Sequence, residues 1–212
     1  MIITAIKPQK RGERRLNVFL DGEFSLGLTS SVLEESGIFI GQELSPDEVQ
    51  KLKNHEEAQQ AWERAQRFMA TRPRSEREVA DRLKRYGYGK QIIQQTLSRL
   101  RKAGLLDDHA FADYWKQNRM AFNPRSGRLL ALELKQKGIR DELANEVAGS
   151  IDEEEEAFRA GSKKARSLPN DDFTVFRRKL AGFLQRRGFN YDVVVSTVNR
   201  IWQEKQSEGK NG

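Results

Sequence analysis

Cysteine is absent from the 212-residue chain, which rules out a disulfide framework and any thiolate metal site. Histidine is nearly absent: His55 and His109 stand in unrelated contexts, so neither a metal centre nor a histidine-based catalytic group is expected. No apolar run approaches the roughly 18 residues of a membrane span. The opening Met1-Ile2-Ile3-Thr4-Ala5-Ile6-Lys7-Pro8 is too short an apolar run for a secretion signal. The phosphate loop G-x-x-x-x-G-K-[ST] is missing as well, since Gly89-Lys90 is followed by Gln91. The acidic run Asp152-Glu153-Glu154-Glu155-Glu156 reads as exposed carboxylates opening a helix, where its dipole favours them, rather than as a magnesium site. The expectation is a cytoplasmic protein that is not an enzyme and holds no cofactor.

What is present is charge. The formal net charge is +7. It alternates along the chain: net −2 over 1–56, +5 over 57–108, −3 over 109–156 and +7 over 157–212. Such segmentation points to a polyanion or an acidic protein surface as partner, without choosing between them.

The first 30 residues read as β. Leu16, Val18 and Leu20 alternate with polar neighbours, Asp21-Gly22 gives a hairpin turn, and Phe24, Leu26 and Leu28 alternate again. Ile2, Ile3 and Ile6 offer a third strand, and a basic, turn-rich loop spans Lys7 to Arg15. Val32, Leu33, Ile38, Phe39 and Ile40 are the expected cover for this sheet. Ser45-Pro46-Asp47-Glu48 starts a helix carrying Val49 and Leu52, and Asn54-His55-Glu56-Glu57 reads as a seam to the next module.

Beyond residue 57 the pattern is helical and repeated. Met69-Ala70-x-x-Pro73-Arg74-Ser75 recurs as Met120-Ala121-x-x-Pro124-Arg125-Ser126, and Gly87, Gly138 and Gly188 end equivalent helices. Measured from these glycines, Leu83, Leu134 and Leu184 share one column; Tyr88, Ile139 and Phe189 share another. Ser75 and Glu78 have capping-box spacing ahead of the first such helix. The expected fold is mainly α: a tandem array of three three-helix, helix-turn-helix-like repeats preceded by a small N-terminal β-hairpin module. The expected divisions are 1–56 for that module with its connecting helix, 57–107, 108–155 and 156–205 for the repeats, and 206–212 for a disordered tail. In the third copy Ser167-Leu168-Pro169-Asn170-Asp171-Asp172 replaces the compact Pro-Arg-Ser joint.

Cations just before a helix-ending glycine (Lys84, Arg85, Lys137, Arg186, Arg187) are favoured by the helix dipole without any ligand. Arg72, Arg74 and Arg77 stand instead at a helix start, where positive charge is disfavoured unless an anion docks there. Arg125 and Arg128 repeat this, and Arg177, Arg178 and Lys179 fall early in the third copy. These eight residues are the candidate partner- and nucleic-acid-binding set. Trp115 and Tyr88 read as core, Trp62 and Trp202 as freer. The third helices are dissimilar: Gln91, Gln94, Gln95 and Arg99; then Asp141, Glu142 and Glu146; then Val193, Val194, Val195 and Ser196. Dissimilar faces argue against a tandem sequence reader and fit a shape-following adaptor.

Several segments together resemble the RecX family of regulatory proteins. They are Leu16-Asn17-Val18-Phe19-Leu20-Asp21-Gly22-Glu23-Phe24, Gly41-Gln42-Glu43-Leu44, Arg72-Pro73-Arg74-Ser75-Glu76, Leu83-Lys84-x-x-Gly87-Tyr88 and Gly104-Leu105-Leu106-Asp107-Asp108 with Phe111-Ala112. The resemblance implies tandem three-helix repeats that lie in the groove of the RecA recombinase filament on single-stranded DNA. It further implies modulation, chiefly inhibition, of ATP hydrolysis, filament growth and strand exchange in recombination, repair and the SOS response. The implied regulator is a monomer. Relative to shorter members of that family the hairpin is an addition, either a separate contact site or a cap on the array. The alternative expectation is a helix-turn-helix-type protein on duplex DNA, distinguished by a strong sequence preference; a pure protein-interaction module would show no salt-dependent DNA binding.

Overall fold

The computed structural model describes residues 1–9, 15–169 and 171–208. The elements in chain order are β1 (Ile3–Pro8), β2 (Arg15–Leu20), β3 (Glu23–Thr29), α1 (Ser30–Ser36), α2 (Pro46–Met69), α3 (Glu76–Arg85), α4 (Lys90–Lys102), α5 (Asp108–Phe122), α6 (Gly127–Gln136), α7 (Asp141–Gly149), α8 (Glu153–Ala165), α9 (Phe173–Arg186) and α10 (Tyr191–Glu208). The fold is mainly α, with a three-stranded antiparallel sheet of order β1-β2-β3 at the N-terminus. Most of the predicted basic loop, residues 10–14, lies outside the described residues, as does 209–212. Within the predicted disordered tail α10 continues through Gln206 and Ser207 to Glu208.

Two compact units form. The first comprises Met1–Arg72 and Val79–Leu106; the second comprises Pro73–Glu78 and the chain from Asp107 onward. In the first unit the β2–β3 turn is the two-residue hairpin expected of Asp21-Gly22, both residues having positive φ (50° and 91°). Ile3, Val18, Leu20, Leu26 and Leu28 point to one face, covered by Val32, Leu44, Val49 and Leu52. Phe39 and Ile40, expected as cover, are instead 63% and 60% exposed. They sit on a tight turn in which Gln42 N–H donates to the Phe39 carbonyl, and Leu44 takes the buried place.

The predicted seam at Asn54–Glu57 is not a break. Helix α2 runs through it for 24 residues, opened by a full Ser45/Glu48 capping box. Glycine is absent from α2 and its one proline is at the N-terminus, so nothing in the sequence stops it. Glu56, in its middle, is buried and accepts from the Thr29 N–H (2.7 Å) while pairing with Arg15 (3.1 Å). Upstream of this residue α2 closes the sheet's core; downstream, Ala61 and Ala65 join Val79, Leu83, Ile93, Leu97 and Leu100 in a second one.

The repeated columns have one physical origin. Gly87, Gly138 and Gly188 adopt φ of 88°, 89° and 87°. Behind each, the next residue's N–H returns to the carbonyl of Leu83, Leu134 or Leu184, which is a Schellman ending. That motif brings the leucine against the residue after the glycine: the three leucines are fully buried, and Ile139 and Phe189 are buried with them.

Candidate nucleic-acid interface

The recurrent Pro-Arg-Ser segment is a joint. Ser75 Oγ accepts from Glu78 N–H, capping α3, and donates to the Lys137 carbonyl at 2.7 Å. The next N–H, of Glu76, donates to Asp108 Oδ1 (3.0 Å), and Lys137 Nζ reaches Glu78 (2.8 Å). A Cβ on Gly138 would meet Arg77 Cβ at 2.5 Å, so the arginine's stem lies against that glycine. One copy along, the plan recurs. Ser126 caps α6, its N–H donates to the Arg187 carbonyl, and Gly127 N–H donates to Glu153 Oε1 (2.8 Å). Arg187 returns a guanidinium N–H to the Pro124 carbonyl (2.8 Å) and another bond to Asn123. Gly188 is closed over by Leu129 and Ser126. Lys137 and Arg187 are therefore ties between consecutive segments, beyond any dipole preference.

The acidic run is correspondingly specialised rather than uniformly exposed. Asp152 caps α8, Glu153 takes the Gly127 N–H, and Glu156, only 14% exposed, pairs with Arg159 at 2.5 Å. Burial raises the Glu156 pKa above the usual carboxylate value, with Arg159 opposing. Among the described residues no group of three His, Cys, Asp or Glu side chains is arranged to hold a metal ion. His55 pairs with Glu35 at 3.0 Å.

The predicted basic residues divide by environment. Arg72 and Arg74 are half-buried. Arg125 is drawn to Glu133 at 2.5 Å, a carboxylate that also takes Arg119 (2.6 Å) and the Trp115 indole N–H (3.0 Å). Arg128, Arg177, Arg178 and Lys179 are exposed, and none of the four has an ion-pair partner among the described residues. Arg77, Arg128 and Arg178 each stand ten residues before the glycine ending their helix, and all three are exposed. One outward arginine per repeat, at one register, is the sharpest remnant of the predicted set. Counting from the glycines finds it in the sequence.

Two further observations refine the expected surface. Val193 and Val194 are buried, so α10 cannot present them to a base. Tyr86, 45% exposed, has two guanidinia over its ring, Arg64 at 4.5 Å and Arg82 at 4.9 Å from the ring centre, and Arg82 also donates to its hydroxyl (2.9 Å). Sequence reasoning missed this stack, whose only local signal is the i, i+4 spacing of Arg82 and Tyr86. Arg99 lies over Trp62 (4.2 Å), and Trp202 packs on Phe173 and Phe176.

Family models cover most of the chain. One described as the RecX N-terminal domain matches residues 1–45, so the sheet is itself a domain of that family. Models of the first, second and third RecX three-helix domains match 61–100, 107–147 and 152–197. The regulatory protein RecX of Bacillus subtilis is 28% identical over 97% of this chain and 79% of its own length. That of Clostridium botulinum is 27% identical over 92% of this chain and 94% of its own. A crystal structure of a regulatory protein RecX superposes with a TM-score of 0.69 at 23% identity, covering 91% of this chain and 96% of that one. RecX from Lactobacillus salivarius gives 0.60 at 20% identity, covering 68% and 96%.

Proposed function

The chain belongs to the RecX family, and from that premise we propose that it binds the RecA recombinase filament on single-stranded DNA and restrains it. ATP hydrolysis, filament growth and strand exchange all slow in this reading, which places the protein in the cytoplasm as a non-catalytic regulator. The observation that carries it is the exposed arginine at the same register of each repeat, Arg77, Arg128 and Arg178. A cation repeated with the module suits a partner that itself repeats, such as a phosphate backbone held in a protein helix. The buried valines of α10 and the acidic Asp141, Glu142 and Glu146 of α7 disfavour sequence reading of duplex DNA by the third helices.

Titrating the protein into RecA, ATP and single-stranded DNA is expected to slow ATP hydrolysis well below one regulator per recombinase subunit. Undiminished hydrolysis at equimolar protein would refute the reading. Replacing Arg128 and Arg178 with Gln is expected to weaken single-stranded DNA binding and to lower the log–log salt slope by roughly 0.7 per lost phosphate contact. An unchanged slope returns both arginines to the solvated surface.

A further inference from the structure

Inside the second unit, the joint is built twice with different fillings. Asp107 and Asp152 cap α5 and α8, and the residues after them, Asp108 and Glu153, accept the equivalent N–H groups of Glu76 and Gly127. In that register Trp115 corresponds to Ala160 and Arg119 to Lys164. Counted from the helix-ending glycines, Glu133 corresponds to Phe183 and Lys137 to Arg187.

At the first place the joint is filled and neutralised. The Trp115 ring stacks near Phe111, with Arg119 at 4.6 Å and Lys137 at 4.8 Å from it, and its indole N–H and two arginines converge on Glu133. At the second place Ala160 leaves the ring's volume empty and Phe183 brings no carboxylate. What results is a pocket of about 230 Å³ lined by Phe122, Ala160, Lys163, Lys164, Phe183 and Arg187. Phe122 stands at its rim, 78% exposed. Arg187 lies over the Phe183 ring at 4.4 Å. Its pKa is lowered by burial and then by the Arg125 charge. None of Lys163, Lys164 and Arg187 has a carboxylate partner among the described residues.

We propose that this pocket docks a segment of a protein partner bearing one aromatic side chain flanked by carboxylates, which supplies from outside what Trp115 and Glu133 supply at the equivalent place. The volume is sufficient, since a cavity of roughly 150 Å³ already accepts benzene. Three cations around an aromatic floor fit an acidic segment by charge. A nucleotide also offers a ring and an anion, but the occupant the chain itself uses in this setting is an indole hydrogen-bonded to a carboxylate. The inference rests on the filament reading only in taking the partner to be a protein.

The test uses the full chain with a fluorescein-labelled peptide Glu-Asp-Trp-Asp-Glu, its counterpart with alanine for tryptophan, and labelled oligo-dT, followed by anisotropy. The tryptophan peptide is expected to bind saturably and about tenfold more tightly than the alanine peptide. A double variant, Phe122→Ala with Lys163→Glu, should lose about tenfold for the tryptophan peptide while its thermal unfolding stays that of the parent, both side chains being exposed. Absent or equal binding of the two peptides overturns the proposal, as does peptide binding that ignores the double variant. Oligo-dT binding that alone responds to the double variant overturns it in favour of a nucleotide site. Peptide binding together with an unaffected recombinase ATPase would retire the filament reading and leave the pocket standing.

Discussion

Gly188→Ala is expected to destabilise the second unit by about 3 kcal/mol, seen as a lower urea midpoint for its tryptophan fluorescence. Two costs combine. An L-residue at φ of 87° loses about 1–2 kcal/mol. The new Cβ would also lie 2.5 Å from Leu129 Cγ and from Ser126 Oγ, and overpacking of this kind costs about 1–3 kcal/mol. Gly87→Ala is the internal comparison. Its φ is 88°, yet nothing lies within 4 Å of the added Cβ, so only the backbone cost of about 1–2 kcal/mol should appear in the first unit. Equal losses at the two sites would show that the glycine is only a helix stop and that the joint does not press upon it.

Glu133→Ala should cost about 2–3 kcal/mol. Its carboxylate is 15% exposed and collects two guanidinia and an indole N–H; deleting it leaves all three without that acceptor. A fully buried pair broken on one side loses roughly 3–5 kcal/mol. Here Arg119 and Arg125 are 27% and 34% exposed and turn partly to water, which reduces the loss. Glu133→Gln keeps an acceptor for Trp115 without the charge, and is expected to recover about 1 kcal/mol of the deficit. Chemical denaturation of the parent and the two variants separates charge from hydrogen bonding: identical stabilities of the two variants would mean that the Trp115 hydrogen bond contributes nothing, and a Gln variant as stable as the parent would mean that the ion pairs contribute nothing.

Much of the architecture was legible because its signals are local. The Asp21-Gly22 hairpin, the Ser45 cap and the helix-ending glycines each declare themselves within a few residues, and the Leu83, Leu134 and Leu184 columns follow from the Schellman endings. The continuity of α2 was less legible, since polarity at Asn54–Glu57 resembles a linker until Thr29 and Arg15 are known to meet Glu56. The arginine set shows the same limit. A cation at a helix start is an electrostatic anomaly in sequence, yet Arg125 is answered by Glu133, eight residues on, and the stem of Arg77 by Gly138, sixty-one residues on. Only the register shared by Arg77, Arg128 and Arg178 survives as an outward pattern. The pocket was invisible for a related reason: it is made by what Ala160 and Phe183 fail to supply.

The shared helix α2 has a thermodynamic consequence. One rigid rod forms a wall of the sheet's core at Val49 and Leu52 and of the three-helix core at Ala61 and Ala65, with Glu56 bonded at the crossing. Melting either core frays the rod that the other leans on, and helix formation is cooperative along its length. The sheet and the first repeat are thus bound to a common fate: neither is a cassette that can be cut away at residue 56, and a strand lost near the N-terminus is felt at Leu83 and Leu97.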